Sequence, residues 1–481
     1  MTGDVRPSYD ELAALVVAQA ATIVQLRGEV ERLTAQVEQL QRQLKTNSRN
    51  SSKPPSQDVF AKPAPKSLRR KTGQGKGKQP GASGASLKLV DAPDVVVDHV
   101  PSACSGCGSG LRRRPNVGVV RRQVHDLPEM TPVVTEHRLH QRRCACGVLT
   151  TAGAPAEATA PACYGPNITA LAAYLLTYQH LPLARAAQLL ADVVGMAVST
   201  GWIAGVLTRV APTLEPFVEA TRAEVRAASL AHFDETGVRV LGKNQWLHSA
   251  STLWLTVYFL HGKRGRDAID AFGILDGFTG IAVHDGWHSY RTYDVTHALC
   301  NAHHQRELQA AAETHPAQQW HTALSEVLDE LNAAAHAARE FHLDTIPDEV
   351  LTPLTRRYDG HIADGLRLHP RNHTGHPKGG RPRQSTSRAL LERLRKYRDD
   401  VLRFAFDLTV PFTNNQAERD IRMTKTQLKI SGGWRTTTGA TTWLTVRSYI
   451  STVRKNGINT LTALRDALTG NPWLPTHPAT T

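Results

Sequence analysis

Three carboxylates in three different local settings carry the chemistry this chain could perform. They stand in His232-Phe233-Asp234-Glu235-Thr236-Gly237, Val283-His284-Asp285-Gly286-Trp287 and Asn414-Asn415-Gln416-Ala417-Glu418-Arg419. Asp and Glu are the hard oxygen ligands that Mg2+ and Mn2+ prefer. Two such ions held by three carboxylates can activate a water and stabilise the leaving oxygen of a phosphodiester. Asp234 follows the apolar run Ala231-His232-Phe233 and Asp285 follows Ile281-Ala282-Val283-His284, so both are expected where strands end at a sheet edge. Asp234 is preferred to Glu235 as ligand because neighbouring strand residues point to opposite faces, which leaves Glu235 to assist from outside. Thr413 and Gln416 have the spacing of a capping box, so Glu418 is expected in the first turn of a helix, on one face with Ile421, Arg422 and Lys425. The cations on that face, with Arg419, would hold phosphates beside the metals. Arg264, Arg266, Asp267, Asp270 and Asp276 read as solvated loop and helix residues, and Asp294 as a weaker competitor to Asp285.

The elements that must position these acids follow from hydrophobic periodicity. Between 228 and 300 the pattern predicts strands over Leu230 to Phe233, Gln245 to Ser251, Trp254 to Leu260 and Gly280 to His284, with a helix over Arg266 to Phe272 before the fourth strand. Three strands, a helix and a fourth strand, with acids after the first and fourth, is the order of a ribonuclease H-like α/β catalytic core. That core is expected over 226–455, with a helical insertion at about 302–405 and a tail over 456–481. Residues 160–225 are Ala/Leu-rich and helical. Within them Leu183 to Val194, a break at Gly195 and a second helix capped by Ser199 with Trp202, Ile203 and Leu207 are compatible with a helix-turn-helix or with any compact bundle. His303 and His304 diverge by about 100° on a helix and do not share an ion readily. His303 and Arg306 are therefore read as supports of the metal site or as DNA-phosphate contacts, alongside structural roles.

Metal chemistry of a second kind is written in the cysteines. Cys104-Ser105-Gly106-Cys107 and Cys144-Ala145-Cys146, each beside glycines, have knuckle spacing that offers four thiolates to one tetrahedral Zn2+, a structural site within a small β-rich unit over 89–150. Cys163 and Cys300 are read as packing residues, and six cysteines in 481 residues argue against a disulfide framework. Before this unit, 46–88 is a linker with almost no apolar content; twelve Lys/Arg and only Asp58 lie in 41–88, much of the whole chain's +14. Such a tract, with Arg69, Arg70 and Lys71 at its centre, favours a polyanion as partner, nucleic acid above all. From Leu12 to Leu44, Val16, Ile23, Val30, Val37 and Leu44 form one heptad seam and Leu12, Leu26, Leu33 and Leu40 the other, interrupted by Gln19. β-branched residues at a with leucine at d favour a parallel two-stranded coiled coil, so 9–45 predicts a homodimer. No long apolar run and no signal-peptide order are present, which predicts a soluble cytoplasmic protein.

Taken together, the coiled coil, Ser51-Ser52-Lys53-Pro54-Pro55-Ser56, the basic Gly/Gln tract, the cysteine unit, the three acid motifs and Cys300-Asn301-Ala302-His303-His304-Gln305-Arg306 stand in an order that resembles the bacterial transposases of the insertion sequence 66 family over almost all of the chain. Asn301 stands where many members have tryptophan, and the Cys144–Cys146 pair is tight, but neither departure touches the acids. By that likeness Asp234, Asp285 and Glu418 become a DDE triad using Mg2+ or Mn2+. The likeness implies hydrolysis at the transposon end and then attack of the freed 3′ hydroxyl on target DNA, without a covalent protein intermediate. It implies terminal inverted repeats and target DNA as partners, two protomers holding both ends, and a nucleoid-associated location in a bacterium, and leaves open whether accessory proteins of the same element are required. The competing expectation is a domesticated, non-catalytic DNA-binding regulator.

Overall fold

Among the described residues of the N-terminal third, regular structure is limited to helical residues within 18–37 and two short strands. The computed structural model describes residues 18–30, 32–33, 36–37, 86–155, 157–158, 160–373 and 384–475. Residues 18–30 form a helix (α1) with Ile23, Leu26 and Val30 exposed, as they are on a single protomer of the expected coiled coil. The basic residues Arg69, Arg70 and Lys71 lie outside the described residues. In the unit expected to be β-rich, the regular elements are two short antiparallel strands, β1 (Gln141–Arg143) and β2 (Leu149–Thr151), and an isolated bridge between Ala103 and Gly110. None of residues 86–155 is buried. Hairpins this short hold no core of their own.

From 160 onward apolar periodicity takes over. α2 (Pro166–Thr177), α3 (Leu183–Val194), α4 (Thr200–Ala204), α5 (Val206–Val210) and α6 (Glu215–Ala227) form a helical lobe. Gly195 ends α3 in the left-handed region at φ 68°, and the Ser199 hydroxyl accepts the Trp202 N–H to start α4, both as the sequence predicts. The expected second helix is broken at Gly205 into α4 and α5. Ile203, Val206, Val210, Leu214 and Phe217 are fully buried there, a side chain the size of phenylalanine contributing about 1.5–3 kcal/mol.

The central sheet has the order β5-β4-β3-β6-β7, built from β3 (Leu230–Val240), β4 (Lys243–Ser251), β5 (Thr256–His261), β6 (Ile281–His284) and β7 (Thr296–Leu299). β3, β4 and β5 pair antiparallel, whereas β6 runs parallel to β3 and β7 parallel to β6. α7 (Arg266–Phe272) occupies the predicted residues. Two features correct the expectation. β3 does not stop at Phe233 but continues to Val240, because Asp234 through Val240 pair with Lys243–Ser249 across a tight turn in which Leu241 and Gly242 both have positive φ (53° and 70°). Asp234 is therefore inside a strand rather than at its end. β7 is an additional strand.

Side-chain alternation along β3 separates two layers. Ala231 and Phe233 join a core with Ile269, Phe272 and Tyr290, while Val238 and Val240 join one with Ile421, Trp443 and Leu444. α8 (Asn301–Thr314), α9 (Trp320–Glu340), α10 (Asp348–Leu368), α11 (Thr386–Lys396) and α12 (Arg398–Phe406) make the helical insertion and share a core with Val283 and Leu299. α13 (Asn415–Ser431) and α14 (Thr437–Lys455) return to the sheet. The hydroxyls of Thr452 and Ser448 accept the backbone N–H groups of Thr256 and Tyr258 at 3.0 and 3.1 Å, so α14 satisfies the edge strand β5. The segment expected as a tail carries α15 (Thr460–Leu468), with Leu464 fully buried in the helical lobe. No helix among the described residues is long and apolar enough to cross a membrane.

Candidate active site

Asp234 lies on the α13 side of β3 by the alternation that places Val238 and Val240 there, and Glu235 on the opposite face with Phe233. Asp285 immediately follows β6, the parallel neighbour of β3, so both acids emerge from the centre of the sheet. Asp285 is held by a turn: Gly286 adopts φ 88°, its N–H donates to His284 Nδ1 at 3.0 Å, and the Trp287 N–H donates to Asp285 Oδ1 at 2.8 Å. A side chain at Gly286 would strain that conformation.

Glu418 sits in the first turn of α13, though not through the expected capping box. Asn414 is the N-cap, with no side-chain cap hydrogen bond, and Gln416 donates to Asp420 Oδ2 at 3.1 Å instead. What fixes the helix start is a clamp that the sequence did not reveal. The Asn414 amide donates to the Phe233 carbonyl at 2.8 Å, its Oδ1 lies 2.8 Å from His232 Nδ1, and its backbone N–H donates to Cys300 Sγ at 3.1 Å. One buried asparagine thus ties the strand of Asp234, the start of α8 and the helix of Glu418 together.

The electrostatics record the convergence. Burial, then Glu235, Asp285 and Glu418, holds the Asp234 carboxyl well above the usual carboxylate range. Burial and Glu235 push Asp285 up to about 6, against the Trp287 N–H, Arg264 and Arg306. Crowded acids of this kind are a donor set that a divalent cation relieves, but the structure does not bring the ligand atoms of Asp234, Asp285 and Glu418 together within 4.8 Å of one another. Cations are also near. Lys425 is lowered by burial but raised by Asp234 and Glu418, and an Arg306 guanidinium nitrogen lies 3.8 Å from Glu418 Oε1. Arg419 and Arg422 are exposed on α13, Arg419 donating to Gln416 at 2.8 Å. Asp294 is exposed.

Glu235 and Arg264 depart from expectation. Arg264 is not a solvated loop residue: its guanidinium stands over Trp246 at 5.0 Å and Trp287 at 4.1 Å and donates through Nε to Glu235 at 2.8 Å. Tyr290 donates its hydroxyl to the other Glu235 oxygen. Nothing in the run Lys263-Arg264-Gly265-Arg266 distinguishes this arginine in sequence; its partners come from β3, β4 and the turn after β6. Arg266, Asp267, Asp270 and Asp276 are exposed as read.

His303 is partly buried, its Nδ1 makes no hydrogen bond, and burial with Arg306 and Arg393 pulls it down to about 3. His304 instead sits 3.1 Å from Asn301 Oδ1. Cys300 is buried, which pushes its thiol up to about 12.

The finger cysteines occupy two local turns. The Cys104 carbonyl accepts the Gly108 N–H at 2.9 Å and the Cys144 carbonyl accepts the Gly147 N–H at 2.9 Å, with both glycines at positive φ (74° and 89°). Ser109 and Cys104 lower the Cys107 thiol, and Cys146 lowers Cys144. The structure does not gather the two pairs into one ligand cluster.

Residues 161–442 match the family described as Transposase IS66 family. The chain belongs to that family. Within this IS66 transposase, residues 101–147 match the zinc-finger binding domain of transposase IS66, which supports Zn2+ as a cofactor, and residues 5–88 match a family of unknown function. No curated protein matches the chain. Among solved structures there is a likeness to the simian T-cell lymphotropic virus intasome in complex with PP2A regulatory subunit B56 gamma, at 11% identity over 46% of this chain and 74% of that one. Its TM-score of 0.14 is too low to carry an argument.

Proposed function

We propose that the chain is a DNA transposase in which Asp234, Asp285 and Glu418 hold two divalent ions, Mg2+ or Mn2+, cut the transposon ends and join the freed 3′ hydroxyl to target DNA. The observation that supports this reading is the pressure that Asp285, at the end of β6, and Glu418, in the first turn of α13, exert on the buried Asp234 of β3. The sheet order, three antiparallel strands followed by two parallel ones, with Asp234 in the central strand and Asp285 just after its parallel neighbour, supports a ribonuclease H-like reading of the core. Bound metal would polarise the scissile phosphate and lower the pKa of the attacking water. The chain's own residues do the rest: Asn414 sets the separation of Asp234 and Glu418, and the Asp285-Gly286-Trp287 turn aims Asp285. Lys425 and Arg306 add positive charge where phosphate oxygens would lie. Arg419 and Arg422 continue that charge along the exposed face of α13.

The zinc finger, the basic tract with Arg69, Arg70 and Lys71, and the helical lobe bind the terminal inverted repeats, and the coiled coil pairs two protomers so that both ends are held. The decisive experiment is cleavage and strand transfer on a labelled transposon-end duplex with Mg2+ or Mn2+, comparing wild type with Asp285→Ala and Glu418→Ala. Joined product lost in both variants is expected. Tight binding of the ends with no cleavage under either metal would sink the catalytic reading and favour a regulator.

A further inference from the structure

Glu418 has a second set of neighbours. Cys300 is the N-cap of α8, His303 lies in the first turn of that helix, and Glu418 opens α13. One ligand atom from each lies within 4.8 Å of the others, the one such group of three among the described residues. Ligands around a tetrahedral zinc stand roughly 3–4 Å apart, given bonds of about 2.0–2.3 Å, so small side-chain adjustments close the site. The surroundings fit a metal. The Asn414 N–H points at the Cys300 sulfur from 3.1 Å, as it would at a metal-bound thiolate. His303 Nδ1 is buried without a hydrogen bond, a state that asks for a partner, whereas the neighbouring His304 is engaged by Asn301.

We propose that Cys300, His303 and Glu418 form a binding site for a thiophilic divalent ion, zinc above all, distinct from both the finger and the Asp234–Asp285 pair. Thiolate and imidazole select zinc over magnesium, and three protein ligands leave a fourth position open to water. Binding sends the Cys300 thiol proton to solvent. The functional consequence rests on the reading of Glu418 as an active-site acid: an ion held here withdraws Glu418 from the Mg2+ site, so zinc inhibits the reaction that magnesium supports.

The test uses the full-length chain with Cys104, Cys107, Cys144, Cys146 and Cys163 replaced by serine, which leaves Cys300 the sole thiol of the six. Cobalt(II) titration should give a sulfur-to-cobalt charge-transfer band saturating at one equivalent, lost in Cys300→Ser and weakened in His303→Ala. No band in the five-serine chain overturns the site, as does a band indifferent to both substitutions. Should the five-serine chain not fold, zinc stoichiometry on the otherwise native protein decides: two per chain falling to one in Cys300→Ser supports the site, and one in both overturns it. Zinc should then inhibit Mg2+-supported cleavage in the wild type and lose that effect in Cys300→Ala. Zinc bound without inhibition overturns the competition for Glu418. Loss of cleavage in the wild type under magnesium alone strikes at the transposase reading, which the cobalt band does not touch.

Discussion

The acid site and the cysteine finger both carry residue types that ligate metal, yet the chain builds them in opposite ways. Asp234 and Asp285 sit among buried strands, the Asn414 amide holding the Phe233 carbonyl beside the first and the Trp287 N–H holding the second, and Asp285 presses on Asp234. Cys104, Cys107, Cys144 and Cys146 lie in residues 86–155, none of which is buried. In the first region the fold supplies the order and metal would supply chemistry. In the second, metal would supply the order, because two three-residue strands bury too little to hold themselves. On the proposed function a cation would be a reagent in one region and a structural member in the other.

The sharpest way to break that contrast is to remove an acid. Asp285→Asn should lower end cleavage by at least about 10³-fold, the rate equivalent of roughly 4 kcal/mol of charge stabilisation. Its thermal midpoint should hold or rise, since one of the crowded charges is gone. A midpoint that falls by many degrees would make Asp285 a structural residue and erase the distinction. Next in size is Arg264→Ala, which strands the buried Glu235 carboxylate, 1% exposed against 30% for its partner. Leaving a buried charge unpaired costs about 3 kcal/mol, read as a shift in urea midpoint at unchanged slope. Asn414→Ala should cost about 1–3 kcal/mol by orphaning the Phe233 carbonyl and the His232 ring. It should also slow cleavage, because the separation of Asp234 and Glu418 is no longer set. Unchanged cleavage at reduced stability would show that the clamp serves the fold alone.

A smaller effect tests the crowding itself. Asp285 titrates at about 6 in the folded chain against an ordinary carboxylate value near 3.8, so between those limits the folded state binds more protons than the unfolded one. Its contribution to stability is then present below the lower value and lost as pH rises through about 6. The thermal midpoint should decline over that window, and Asp285→Asn should flatten the decline. A slope of the opposite sign would mean that the acids are paired rather than crowded.

Sequence legibility divides along the same line. α3 and α7 were readable to the residue, because each has a continuous apolar stripe and a left-handed glycine, Gly195 or Gly273, at its end. β3 was cut short at Phe233 because Asp-Glu-Thr-Gly has turn chemistry; only pairing with β4, which puts Gly237 opposite Trp246, keeps it extended. β7 is four residues, Thr-His-Ala-Leu, too short for a period to show. The three acids were visible as motif residues. Asn414, Arg264 and Cys300 were not, since each owes its role to partners far away in the chain. The family match covers the acid motifs and the finger but assigns no role to any of them.

The smallest expected effect is the one that holds the comparison together. In the Cys300→Ser variant, stripping zinc with a chelator should leave the melting midpoint of the sheet-and-helix body unchanged, because its cores, around Phe233, Leu247, Leu328 and Phe217, contain none of the four finger cysteines. Residues 101–147 should meanwhile become open to limited proteolysis and regain protection when zinc is returned. Cys300 gives the experiment a built-in discriminator. It is buried against Asn414 beside the acid site, so a chelator effect on the main midpoint that vanishes in Cys300→Ser would come from zinc at α8 rather than from the finger. An effect that persists in that variant would mean the finger docks on the body and that the two regions are one cooperative unit.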